Sequence, residues 1–252
     1  MISTAVILSA LELGFIYALV ALALFLSFRI LNIADMTTDG SFTLGCAVSA
    51  TVAVAGHPLL ALPAAMIAGA AAGFVTSMLQ TKFRIPSILA GIITNTGLYT
   101  VNLAVMGFSS NVNMLKTETL FTMLKPALGT VHKLVPAICI TVLAGIALVL
   151  FLKTRLGLSV RATGDNPDMV RASSINTAFT ITIGLMLSNS LTALSGAVIA
   201  QYQRTADINL GTGMVIIVAS RSNISLYFML SPREITKSSH ILYSTVLLEE
   251  LQ

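Results

Sequence analysis

The sequence predicts an all-α, polytopic membrane protein, a bundle with about six to seven transmembrane spans. Three observations carry that prediction. The chain is 56% hydrophobic and only 10% charged, with a mean hydropathy of +0.90, whereas a soluble domain carries about 25% charged residues and needs them to face water. Its apolar residues fall in runs that approach or reach the roughly 20 residues needed to cross the hydrocarbon core. Its basic residues stand singly or in pairs beside those runs, as topology signals do. The net charge of +4 therefore does not point to nucleic acid: there is no basic stripe and no Trp. Cys46 and Cys139 lie in apolar segments and form no CxxC pair, so both read as inert core residues.

Residues 5–27 form the first span, too long for a signal-peptide core and without a basic stretch before it. Glu12 interrupts this span. An acid inside a membrane segment is a functional-site hypothesis, although near a helix end it can equally snorkel to the interface. Residues 28–43, FRILNIADMTTDGSFT, break the apolar pattern. Asp35 and Asp39 are four residues apart and could share a helix face to hold a metal or a proton, but no His, Cys or third acid stands near them. They could instead sit in an irregular turn, with Asp39 capping the next helix ahead of Gly40 and Ser41. The reading favoured here is backbone unwound at membrane depth, which is tolerated where it is buried in protein or lines a water-filled path.

A short span over 43–56 ends at His57-Pro58, where His57 reads as a solvated loop residue. The span over 59–80 contains Gly69 and Gly73 at GxxxG spacing. Packing within one subunit is favoured there over a dimer seam. Lys82 and Arg84 mark a basic loop before the span over 86–107. Asn95, Thr96 and Asn102 interrupt that span and must face protein or a cavity rather than lipid. Residues 108–133 read as an external amphipathic segment, residues 134–152 as a clear span, 177–200 as another with Asn189 inside it, and 201–213 as a second external segment.

The polar stretch 153–176 organises the rest. Asn166 is a good N-cap, Pro167 suits the first helical position, and Asp168 sits well on the positive end of the helix dipole. The expected helix is about two turns long, ends at Ser173-Ser174, and offers Met169, Val170 and Ala172 to a soluble partner as a docking knob. With this stretch inside the cell, the inner loops hold Arg29, Lys82, Arg84, Lys153, Arg155, Arg161 and Arg171. The outer ones hold Lys116, Lys125, Lys133 and Arg204. This agrees with the positive-inside rule and puts the N-terminus outside. From Ala219 onward the character changes, and no uninterrupted run reaches spanning length.

Four stretches in order carry a family resemblance: FRILNIADMTTDGSFTLG, FRIPSILAGIITNTGLYTVNLAVMG, LGLSVRATGDNPDMVRASSINT and LSNSLTALSGAVIAQYQ. Together they resemble the membrane permease of bacterial ABC importers, in the branch related to branched-chain amino acid and ribose permeases, over about residues 5–218. The resemblance implies a multi-pass protein of the bacterial cytoplasmic membrane in which two permease copies, a homodimer here, form the pathway within membrane lipid. It implies an ABC ATPase subunit docked on a cytoplasmic coupling helix, here Arg161, Gly164, Asp165, Asn166, Pro167, Met169 and Arg171. It also implies an extracytoplasmic solute-binding lipoprotein that delivers an amino acid or similar small solute. Two departures stand out. Arg204 occupies a position where the family usually has Gly, and the segment 219–252 replaces the Gly-rich apolar segment and further spans, as a frameshift or truncation would.

The candidate path residues are Asp35, Asp39, Ser41, Asn95, Asn102 and Asn189. No Walker A sequence is present, so ATP hydrolysis is expected on the partner and the chain itself is not an enzyme. No metal or cofactor is expected. HExxH and GxSxG are absent, against an intramembrane enzyme. An ion-coupled transporter or channel would have only Glu12, Asp35 and Asp39 for coupling. An inactive, truncated membrane protein is the remaining alternative.

Overall fold

The computed structural model describes residues 4–128 and 132–214. Along the chain run α1 (Thr4–Leu24) with a π-helical continuation (Phe25–Ile30), α2 (Thr38–Val54), α3 (Ala61–Thr81), α4 (Ser87–Val105), β1 (Asn111–Asn113) and α5 (Leu120–Leu128). There follow α6 (Leu134–Lys153), α7 (Arg155–Asp165), α8 (Pro167–Ala172), α9 (Thr177–Gln203) and β2 (Thr205–Asp207). Five helices among the described residues are long and apolar enough to cross a membrane: α1 with its continuation, α3, α4, α6 and α9. The segment from Ala219 onward lies outside the described residues.

The axis of the bundle is α9. Its most apolar window is 83% buried, against 28–33% for the other four spans. The sequence explains this: the middle of α9 reads SNSLTALSGA, whose small side chains let neighbouring backbones come close. Its serines and carbonyls bond across those contacts. Ser188 donates to the Ala23 carbonyl at 2.9 Å and Ser195 to the Ile16 carbonyl at 2.8 Å, which fastens α1. On another face Gly69 and Gly73 of α3 lie against the carbonyls of Asn189 and Leu185. The GxxxG spacing thus serves packing inside the subunit, as expected.

Held by α9 and almost enclosed, α2 begins at Thr38, five residues ahead of the expected span over 43–56. The cap differs from expectation too. Thr37 is the N-cap residue and makes no side-chain cap bond, whereas Asp39 lies inside the first turn. Residues 28–43 are therefore π-helix, a short irregular break and a helix start. The break is buried in protein at Asp35 and Thr37, in keeping with the unwound reading.

Other departures have physical causes. Glu12 is 5% exposed because the Tyr202 hydroxyl donates to it at 2.8 Å; it does not snorkel. Lys133 stands 4.5 Å from the centre of the Tyr202 ring, a cation–π contact. Cys139 is exposed rather than in the core, whereas Cys46 is buried. The two segments expected to be external, 108–133 and 201–213, pair through β1 and β2 as an antiparallel ribbon, Val112 opposite Ala206.

Candidate functional site

The polar groups of α2 divide by face. Toward α9 and α3 they form a closed network. The Thr37 amide donates to Asp35 Oδ1 at 2.9 Å, and Asn189 Nδ2 donates to Asp35 Oδ2 at 2.7 Å. The Ser41 hydroxyl donates to Asn189 Oδ1 at 2.6 Å, and Thr37 shares a 2.9 Å bond with Thr76 of α3. Asn189 lies about 18 Å along α9 from Thr177, at about 1.5 Å per residue. The start of α2 is thus roughly halfway along the axis of the bundle. From there α2 and α9 run in the same direction, joined again where Cys46 meets the Gly196 carbonyl and Ser49 the Ala197 carbonyl.

Toward α4 the same helix start faces a cavity of about 300 Å³, at the lower end of ligand-pocket volumes. Asp39, Gly40 and Thr43 contribute one wall, and Asn95, Thr96, Tyr99 and Asn102 of α4 another. Ile208 and Thr212 close a third side. They are there because the chain after β2 turns back along α2: the Gly211 amide donates to Thr43 Oγ1 at 3.2 Å and the Gly213 amide to Asp39 Oδ2 at 3.0 Å. Gly213 has φ +81, a left-handed conformation that suits glycine. Asn102 Nδ2 donates to the Gly40 carbonyl at 3.3 Å, while its Oδ1 is buried without a partner.

The six expected path residues are thus not one constellation. Asp39, Asn95 and Asn102 line the cavity, whereas Asp35, Ser41 and Asn189 form the closed network on the other face of α2. Sequence reasoning did not single out Tyr99 as a wall of the cavity, nor Ile208 and Thr212. A polar face recurring on α4 at Asn95, Tyr99 and Asn102 was the available signal for Tyr99. Nothing in the local pattern pointed to the return of 208–214.

At the far end of α9, the stretch 153–176 holds two helices rather than one. The expected α8 is present, with Asn166 Oδ1 accepting from the amides of Asp168 and Met169, both at 3.1 Å, and Pro167 at its start. Ahead of it α7 is amphipathic, with Gly157, Val160 and Thr163 inward. Gly157, Val160 and Thr163 recur at helical spacing, a signal that was legible. Val170 is 4% exposed, so it is not offered outward as expected; Met169, 70% exposed, is. Arg161, Asp165, Asn166, Pro167 and Arg171 are exposed and Gly164 half-buried. Gly164 packs on the backbone of Ile30 and Leu31, so α7 touches the segment leading into the α2 break. Thr163 and Thr180 share a 2.8 Å bond, and Arg171 Nε donates to Thr177 Oγ1 at 3.2 Å, which ties α7 and α8 to the first turn of α9. The Arg171–Asp168 pair at 3.4 Å is exposed on both sides and contributes little to stability.

Residues 6–220 match the family described as branched-chain amino acid transport system / permease component. The chain belongs to that permease family. It is an ABC-type transport permease and a multi-pass protein of the bacterial inner membrane. The permease is 35% identical over 212 residues to the tyrosine transport system permease protein of Clostridioides difficile (strain R20291), covering 84% of this chain and 70% of that protein. It is 36% identical over 214 residues to an uncharacterised protein of Rickettsia prowazekii (strain Madrid E), covering 84% of this chain and 74% of the other. No solved structure matches the permease significantly. Both the cavity and the α7–α8 pair fall inside the family match.

Proposed function

We propose that this permease is the translocation subunit of an ATP-driven importer for amino acids or similar small solutes, with residues 1–218 as its transport domain. The observation that carries the reading is the polar cavity beside the start of α2, roughly halfway along α9. Polar groups at that depth serve a solute rather than lipid. Asp39, Asn95 and Asn102 face the solute, while Asp35, Ser41 and Asn189 hold α2 against α9. An ABC ATPase subunit docks on α7 and α8, and a solute-binding lipoprotein delivers from outside. The tyrosine permease among its relatives makes an aromatic amino acid the first solute to try.

A second copy of the chain completes the path. Tyr99 and Thr100 are exposed on α4 within its spanning length, and hydroxyls there are better placed against another subunit or a water-filled path than against lipid.

The docking surface is testable through Met169, which is 70% exposed within its own subunit. Met169→Asp is expected to leave the permease folded and inserted but to abolish co-purification of the ATPase from detergent extracts. Recovery equal to wild type would remove α8 as the docking element.

A further inference from the structure

We infer that the cavity is an ammonium site: Asp39 and the Oδ1 of Asn102 select solutes bearing a protonated amine and disfavour solutes of net negative charge. This rests on the reading of the cavity as a solute site and gives that site its chemical class.

The cavity is lined by one carboxylate, that of Asp39, among amides and hydroxyls, with no Lys, Arg or His among the described lining residues. Its charge character is therefore one-sided. The Gly213 amide donates to Asp39 Oδ2 at 3.0 Å, which holds the carboxylate in place at the cavity wall. Asn102 supplies the second, independent observation. Its amide orientation is fixed, because Nδ2 faces the Gly40 carbonyl at 3.3 Å and a carbonyl only accepts. The remaining oxygen is then an acceptor, in a residue 1% exposed, with no donor to meet it. Buried acceptors left without a donor are rare and need an explanation. An ammonium group carries three donors and no acceptor, so one such group can satisfy Asn102 Oδ1 while its charge faces Asp39. A carboxylate in the same place would meet a like charge and an orphan acceptor. The hydroxyl of Tyr99, on the α4 wall, can donate to the remainder of a zwitterionic solute, and Thr96 Oγ1, whose proton goes to the Ile92 carbonyl at 2.9 Å, can only accept.

The test uses the full chain in lipid nanodiscs and two probes that share a ring and differ in charge, tyramine and 3-(4-hydroxyphenyl)propionate. Affinities are read by saturation-transfer NMR. Tyramine is expected to bind at least about tenfold more tightly than the propionate. Asp39→Asn keeps an acceptor for the Gly213 amide and removes the charge, so it is expected to erase that preference. Equal affinity of the wild type for the two probes would overturn the inference without any variant needing to fold. An Asp39→Asn permease that keeps the preference would overturn it as well. Sodium displacing tyramine at concentrations below the Kd of tyramine would show an inorganic cation site, again against the inference. None of these failures would touch the Met169 result, which tests the importer reading separately.

Discussion

Gly45→Leu is expected to destabilise the permease by about 3 kcal/mol or more, the upper part of the usual range for overpacking. Even a Cβ at position 45 would overlap the Ala193 backbone of α9, and across the same seam Gly196 faces the Phe42 carbonyl of α2 in the same way. The two helices meet backbone to backbone, with no flexible side chain between them to give way. Apolar lipid supplies no hydrophobic drive for one helix to seek another, so association rests on van der Waals fit and interhelical hydrogen bonds. A leucine would force the axes apart and stretch the bonds of Ser41, Cys46 and Ser49 to α9 together. Thermal unfolding of the detergent-solubilised permease reads the effect. Gly14→Leu in α1 is the control: nothing lies within 4 Å of a Cβ there, and the melting temperature is expected to stay at the wild-type value. A Gly45→Leu permease that melts like wild type would contradict the packing account of α2 and α9.

Asn189→Leu is expected to cost about 3 kcal/mol and, separately, to uncouple the transporter. Leucine leaves Asp35 Oδ2 without its 2.7 Å donor and the Ser41 hydroxyl without its 2.6 Å acceptor. Each of these hydrogen bonds is worth about 0.5–1.5 kcal/mol, and a buried group left unsatisfied adds a penalty of about 1–3 kcal/mol. Ser41→Ala removes only one hydroxyl and is expected to lose about 1 kcal/mol. The functional effect follows from position. Asn189 is where α9, whose first turn is tied to α7 and α8 through Thr180 and Thr177, grips the start of α2 beside the cavity. With that grip removed, movement of α7 and α8 no longer repositions Asp39. In vesicles holding the assembled importer, ATP hydrolysis is expected to continue while solute uptake falls, raising the ratio of ATP consumed to solute moved. A ratio unchanged from wild type would show that coupling does not pass through Asn189.

What the sequence made legible follows from which signals are local. The spans over 59–80, 86–107 and 134–152 correspond closely to α3, α4 and α6 because hydropathy over a helical length is a property of the run itself. The cap of α8 was legible for the same reason, since Asn166, Pro167 and Asp168 act within one turn. The start of α2 was misplaced because Asp35, Thr37, Thr38 and Asp39 look like loop residues when counted by polarity. Their polar atoms are satisfied largely by Asn189, Thr76 and one another, and a partner 154 residues away leaves no mark on the local pattern. The candidate site was half legible. Asp39, Asn95 and Asn102 were recognisable as polar residues in apolar company. That they share a cavity while Asp35, Ser41 and Asn189 do not depends on which face of α2 each occupies, and that is set by α9. The wall made by Ile208 and Thr212 depends on two backbone amides, Gly211 and Gly213, finding Thr43 and Asp39.

The central claim is that α7 and α8 stand in the cytosol as the receiver of a push that reaches the cavity through α9. The most direct measurement is thiol labelling of Met169→Cys with a membrane-impermeant maleimide, in a Cys139→Ser background because Cys139 is the exposed native thiol among the described residues. The account predicts no labelling in intact cells, full labelling in inverted membrane vesicles, and protection in those vesicles when the ATPase is bound. Labelling of the introduced thiol from outside intact cells would contradict it.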